Sequence, residues 1–332
     1  MTPRSARHVF TIALLFAGAH APPAGASPAV SAAPLPAAAL PAADPPFGSY
    51  WRDGKAELDG YRYSVTRYGQ LRRGQCAAIY VTEPFSRSKR VKVDDASRNP
   101  KDTFDVLKLN LIRDFQTGIY DYNTMTSLFV RSEDFDPVKA SFASMEWCGN
   151  VYEELRVDPG IVSQRLSSYF EDESTSQEVR RPKGGLMEEE LFIRLRGLSG
   201  DYLRPGQAKT VPFLPSAFRR RLTHQPLRWT DARIERLAAA RAVTVPAGGF
   251  ICFVYSVKIQ DGPEGLFFVD RAHPHRVVRW EWRQATGAGT HLSSESNDSG
   301  DLQGSTRTSY WKLHGEGDER YLRRLGLNPG GR

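Results

Sequence analysis

The chain predicts a mainly β protein whose antiparallel sheets form a sandwich or two half-barrels, with a short central helix and a C-terminal helix. Three observations carry this. Apolar and polar residues alternate with period two through several long runs, the pattern of strands with one buried face. Turn residues such as Asp158-Pro159-Gly160 and Asp261-Gly262-Pro263 separate those runs. Hydrophobic residues make up 40% of the 332 positions and aromatic residues 11%, enough for a substantial core.

Taken in order, residues 1–26 read as an export signal. Arg4 and Arg7 form a basic start, and Val9, Phe10, Ile12, Ala13, Leu14, Leu15, Phe16 and Ala17 form a short apolar stretch. Ala24-Gly25-Ala26 before Ser27 is the better cleavage site, because cutting after Ala19-His20-Ala21 leaves Pro22 first. The apolar stretch falls short of the roughly 20 residues of a spanning helix, and no later stretch qualifies. The mature chain therefore has no predicted transmembrane segment. Its expected location is periplasmic or extracellular. Residues 27–46 are an Ala/Pro linker that favours an extended conformation.

Residues 47–173 form an N-terminal β region. Tyr61, Tyr63 and Val65 alternate with Arg62, Ser64 and Thr66, and Ala77, Ile79 and Val81 with Ala78, Tyr80 and Thr82. Tyr68-Gly69 and Arg73-Gly74 are the expected turns. Leu107, Leu109 and Leu111 alternate with Lys108 and Asn110, 118–130 is rich in aromatics and threonine, and 141–148, 152–157 and 161–170 read as a meander. Residues 174–242 form a hinge, helix and loop region. Lys183-Gly184-Gly185 ends the hinge. The best helix covers 186–198, with Met187, Leu191, Leu195 and Leu198 on one face and Glu188, Glu189 and Glu190 in a solvated first turn. The stretch 231–242 fits either helix or strand. Residues 243–332 form a C-terminal β region with strands at 250–259, 266–270 and 276–283. A mobile Gly/Ser/Thr tract is expected at 285–309, a short strand at 310–313 and a terminal helix at 320–327.

The formal charge is +7, and loss of Arg4 and Arg7 with the leader lowers it by two. The charges are interspersed, so nucleic acid is not an expected partner. Arg219, Arg220 and Arg221 are the one sharp basic cluster and read as a solvated loop edge. Cys76, Cys148 and Cys252 allow one disulfide with one thiol left over; Cys76 with Cys148 is the candidate pair if their strands adjoin.

Two groups of motifs resemble known families. Val245-Pro246-Ala247-Gly248-Gly249-Phe250, Phe267-Phe268-Val269-Asp270 and Pro274-His275-Arg276-Val277-Val278-Arg279-Trp280-Glu281 resemble exported bacterial half-barrel domains of unknown function, distantly like lipoprotein carriers. Glu83-Pro84-Phe85-Ser86, Leu107-Lys108-Leu109-Asn110, Gly118-Ile119-Tyr120 and Glu146-Trp147-Cys148-Gly149 resemble an uncharacterised exported β-rich family often named automatically "septum formation inhibitor Maf". The pyrophosphatases proper to that name resemble a cytoplasmic α/β fold that opens with a Ser-Pro-Arg-Arg type loop, and no such loop occurs here.

Candidate chemistry is sparse. Cys148 is a weak catalytic candidate, since a nucleophilic thiol needs a lowered pKa and a nearby base, and no histidine follows it at a telling spacing. A cysteine in a strand is more often a small buried hydrophobe. His273-Pro274-His275 is a weak metal candidate that lacks an obvious third ligand. No cofactor is expected. Trp147, Trp280 and Trp282 are the candidate ligand-binding residues, because a sheet lined by aromatics can hold an apolar molecule. The favoured expectation is a non-enzymatic envelope protein whose partner is a lipid, lipoprotein or other hydrophobic ligand. The alternatives are an envelope hydrolase using Cys148 or a histidine, and a structural or assembly factor.

Overall fold

A computed structural model describes residues 45–284 and 297–329. The expected signal at 1–26 and the linker up to residue 44 lie outside the described residues. A short helix, α1 (Phe47–Trp51), leads into an antiparallel meander: β1 (Ala56–Arg67), β2 (Gln70–Ser86), β3 (Thr103–Thr117), β4 (Tyr120–Arg131), β5 (Pro137–Glu146), β6 (Gly149–Asp158), β7 (Ile161–Ser168) and β8 (Thr175–Arg180). A middle segment follows with β9 (Leu186–Met187), α2 (Leu191–Arg194), β10 (Ala208–Leu214) and α3 (Ala217–Leu222). The chain then completes β11 (Thr230–Arg236), β12 (Arg241–Val245), β13 (Gly248–Ile259), β14 (Glu264–Asp270), β15 (Val277–Arg283) and β16 (Asp298–Thr308). Residues 318–325 close it as 3-10 turns.

All of these strands belong to one sheet, ordered 8-7-6-5-4-3-2-1-16-15-14-13-11-10-9, with β12 paired to β13. Every pairing is antiparallel except β9 with β10. The sheet is not closed into a barrel. β16 lies between β1 and β15, so the strands of 47–173 and of 243–332 share one hydrogen-bonded ladder.

One face of the sheet packs on the middle segment. Odd-numbered residues of β1 point there: Tyr61, Tyr63 and Val65 are fully buried. Phe192 of α2 meets Phe267 and Trp280 edge-on at 5.5 and 5.1 Å, and Tyr80 donates to its carbonyl. Adjacent residues of α3 reach distant strands. Arg220 pairs with Glu153 on β6, and Arg219 lies over the Trp282 ring on β15. Those strands stand seven steps apart, about 34 Å on a flat sheet at normal strand spacing. Two neighbouring arginines cannot bridge that gap, so the sheet curves around α3. The other face is covered in part by Leu325 and Leu327, which pack on Ala56, Leu58, Ile79 and Val81.

Several expectations need correction. The helix expected at 186–198 is broken into β9, a 3-10 turn at Glu188–Glu190 and four residues of α2. Its three glutamates are buried, not solvated: Arg219 holds Glu188 at 2.8 Å and Arg194 holds Glu190 at 2.7 Å, while burial, then the Glu188 charge, raises the Glu189 carboxyl to about 7. The basic cluster 219–221 is likewise no loop edge. Arg219 and Arg220 are buried, and Arg221 pairs with Glu173. Arg73-Gly74 is not a turn. Gly74 sits inside β2, where a Cβ would lie 2.0 Å from the Asp114 carbonyl oxygen of β3.

Much of the tract expected to be mobile is central to the sheet. Residues 298–308 are β16, while 285–296 lie outside the described residues. Its glycines fit because neighbours crowd them: a Cβ on Gly300 would meet the Trp280 ring at 2.1 Å. Residues 310–312 form a 3-10 turn rather than a strand.

Candidate binding cleft

Two carboxylates, Glu57 and Asp59, occupy the buried phase of β1 beside Tyr61. Buried charges require partners. Arg196, just after α2, supplies the main one: its Nη2 lies 2.7 Å from Glu57 Oε1. The same guanidinium donates to the carbonyls of Pro274 at 2.8 Å and His275 at 3.0 Å. It also stands 4.5 Å from the Tyr80 ring centre and 5.2 Å from that of Trp51. Its Nη1 is buried and has no hydrogen-bond partner. Tyr50 donates to Glu57 Oε2 at 2.6 Å. Arg276 Nε approaches Asp59 Oδ1 only to 3.6 Å, and neither Asp59 oxygen makes a hydrogen bond. Burial, then the neighbouring Glu57, raises the Asp59 carboxyl from 3.8 to about 7.

This charged floor adjoins a cleft of about 610 Å³. Phe47 and Trp51 of α1 form one wall, Leu195 and Leu198 a second, and Phe253 and Tyr255 of β13 a third. Arg196, Arg271, His273 and His275 add polar and cationic edges, and Asp201, paired with Arg236 at 2.9 Å, completes the lining. The helix α1 is held in place by Phe47 against Phe135 at 5.6 Å and by the Arg307 guanidinium 3.6 Å over the Tyr50 ring. His273 packs edge-on against Tyr50 at 4.8 Å, and His275 Nδ1 lies 3.0 Å from the Asp270 carbonyl.

Other hollows are less suited to an apolar ligand. Crevices beside Tyr122 and Glu189 hold about 10 Å³ each, room for no more than a water. A wider hollow of about 810 Å³ near Gly74 and Ile119 has Phe115 as its one aromatic side.

The residues singled out by sequence do not converge. Trp280 and Trp282 lie in the core, and Trp280 Nε1 donates to Asp298 at 2.7 Å. Trp147 is 68% exposed at the β5–β6 turn, beside exposed Cys148. The Cys76–Cys148 pairing is corrected: all three cysteines are free. Cys76 sits mid-strand in β2, three strand steps from the β5 edge of that turn, about 14 Å, whereas a disulfide needs Cα atoms within about 7 Å. Burial also pushes the Cys76 and Cys252 thiols up to about 12. His273 and His275 both border the cleft, with ring centres 6.1 Å apart. Among the described residues no group of three potential ligands could hold a metal ion.

Sequence reasoning missed Glu57, Asp59 and Arg196. A usable signal existed, since period two puts both carboxylates on the same phase as Tyr61, Tyr63 and Val65. Comparison with protein-family models, curated proteins and solved structures found no match.

Proposed function

We propose that the protein is a non-enzymatic binding protein for an amphiphile with an apolar body and an acidic group, such as a lipid. One observation carries this: the aromatic and aliphatic cleft has a polar, cationic edge of Arg271, His273 and His275, with the buried Arg196 guanidinium enclosed behind it. Apolar walls with a few convergent polar groups are the common design of small-molecule sites. A cationic edge on an apolar cleft favours a ligand that carries an acidic group. The nucleophile reading lacks comparable support. His224 is engaged with Glu173 and Arg221, while His273 and His275 border the cleft. We place the protein in the periplasm or outside the cell, on the strength of the leader at 1–26; amino-terminal sequencing of the purified native protein should begin at Ser27.

The binding test is a titration with dodecanoate and its methyl ester, read by calorimetry. The acid should bind one to one and the ester more weakly. Leu198→Trp, which narrows the cleft from its Leu195–Leu198 wall, should weaken binding of the acid. Equal affinity of Leu198→Trp and the natural protein for dodecanoate would overturn the proposal.

A second reading, an assembly factor, is favoured by exposed apolar side chains on alternate hairpins of the meander. Tyr68, Ile119, Trp147 and Tyr169 stand at the β1–β2, β3–β4, β5–β6 and β7–β8 connections, which an antiparallel meander places at one end.

A further inference from the structure

A separate hollow of about 570 Å³ lies beside the loop 181–185 and shares no lining residue with the amphiphile cleft. Its sides carry five cations, Arg180, Arg181, Lys183, Arg194 and Lys209, and one carboxylate, Asp136. That carboxylate is already committed. It receives two hydrogen bonds from Arg181 at 2.6 and 3.2 Å and a third from Arg131 at 3.2 Å. Arg194 is matched by buried Glu190 at 2.7 Å and also donates to the Phe135 carbonyl at 2.9 Å. Among the described residues Arg180, Lys183 and Lys209 have no ion-pair partner.

Lys209 is the most telling of the three. It is half-buried, with its ammonium 3.7 Å over the Tyr202 ring. Burial, then the Arg194 charge, lowers its pKa, so the site holds this cation at a cost that an anion would relieve. The rim is open: Gly184 turns with φ of 72°, and a Cβ there would meet nothing within 4 Å.

We propose that this hollow binds a small polyanion carrying at least two phosphate groups. Three uncompensated cations around one cavity call for a ligand of matching multiple charge. Each phosphate brings about 1.5 to 2 negative charges and three acceptor oxygens in a compact group, whereas a carboxylate brings one charge. The cavity lies within the size range of small-molecule sites. The chemistry is shared by a soluble phosphate compound and a phosphate-bearing lipid headgroup.

The experiment titrates the mature protein with sodium pyrophosphate, and with citrate as a polycarboxylate, in low-salt buffer. Pyrophosphate should bind saturably, one to one, and more tightly than citrate, and rising salt should weaken it. Lys209→Gln and Arg180→Gln should each weaken binding about tenfold, the usual scale for one charge-assisted hydrogen bond. Arg180 is exposed, so its variant keeps the fold even if the Lys209 variant does not. Arg323→Gln, exposed on the C-terminal turns, should leave affinity unchanged. Sedimentation with phosphatidylcholine vesicles containing phosphatidylinositol 4,5-bisphosphate, whose headgroup carries two monoester phosphates, separates the sources: binding that pyrophosphate competes away assigns the headgroup, and pyrophosphate binding without vesicle binding assigns a soluble ligand. Absence of saturable pyrophosphate binding, vesicle binding that pyrophosphate does not displace, tighter citrate binding, or equal loss in Arg323→Gln would overturn the site.

Discussion

At the scale of single residues, the buried ions set the chemistry. Asp59 is the extreme case, with both oxygens enclosed and no hydrogen bond to either. Because its folded pKa of about 7 exceeds its ordinary 3.8, the native state keeps a proton that the unfolded chain releases. Stability from this group is therefore complete below about pH 4 and is lost as pH rises toward 7, at up to about 1.4 kcal/mol per pH unit. Glu189, raised to about 7 by burial and by Glu188, acts in the same direction. Glu188 and Glu173 have lowered pKa values, so their contributions are lost only at lower pH, as the carboxylates protonate. Urea unfolding at pH 5, 6 and 7 should show falling stability, and Asp59→Asn should flatten that fall. An unchanged slope in the variant would show that Asp59 is not protonated in the native state.

At the scale of elements, close approach decides which segments become strands. β16 is built from Asp298-Ser299-Gly300-Asp301, poor strand formers by propensity. It forms because Trp280 fills the space above Gly300, and because Gly60 and Gly304 let the turns at 324–325 sit against the sheet. Gly300→Ala should therefore destabilise the protein by about 1–3 kcal/mol, the usual cost of overpacking. Gly249→Ala on β13 is the control, since a Cβ there meets nothing within 4 Å, and it should be neutral or slightly stabilising. Comparable denaturation midpoints for both variants would contradict the assigned packing. The arginines of α3 make the same point for helices. A six-residue helix has little stability of its own, and Arg219 and Arg220 fix it to Glu188 and Glu153.

At the scale of the molecule, the pairing of β1 with β16 joins strands from opposite ends of the chain. Both flanks of the sheet also press on the same middle segment, through Phe192 and through Arg219 and Arg220. Neither flank can lose its structure without exposing the core of the other. Unfolding in guanidinium should be one transition, with far-ultraviolet dichroism and tryptophan fluorescence coinciding. Two separated transitions would mean that 47–173 and 243–332 are independent domains.

How much of this was legible depended on whether local pattern or distant contact decided the outcome. Strands such as Leu107-Lys108-Leu109-Asn110-Leu111 declared themselves, because the pleat repeats every two residues and one face is buried. The mainly antiparallel β class followed from that alone. The cleft was not legible, because Phe47, Arg196, Phe253 and His273 are far apart in the chain and meet only once the sheet has curved. The buried glutamates and arginines were misread for the same reason. By sequence, a charged run belongs in water, and only a partner brought from tens of residues away, as Arg219 is to Glu188, lets it stay inside. The sequence by itself determined the strand periodicity and the turns; tertiary structure decided which charges are buried and where a ligand has room, because burial is a property of neighbours rather than of residues.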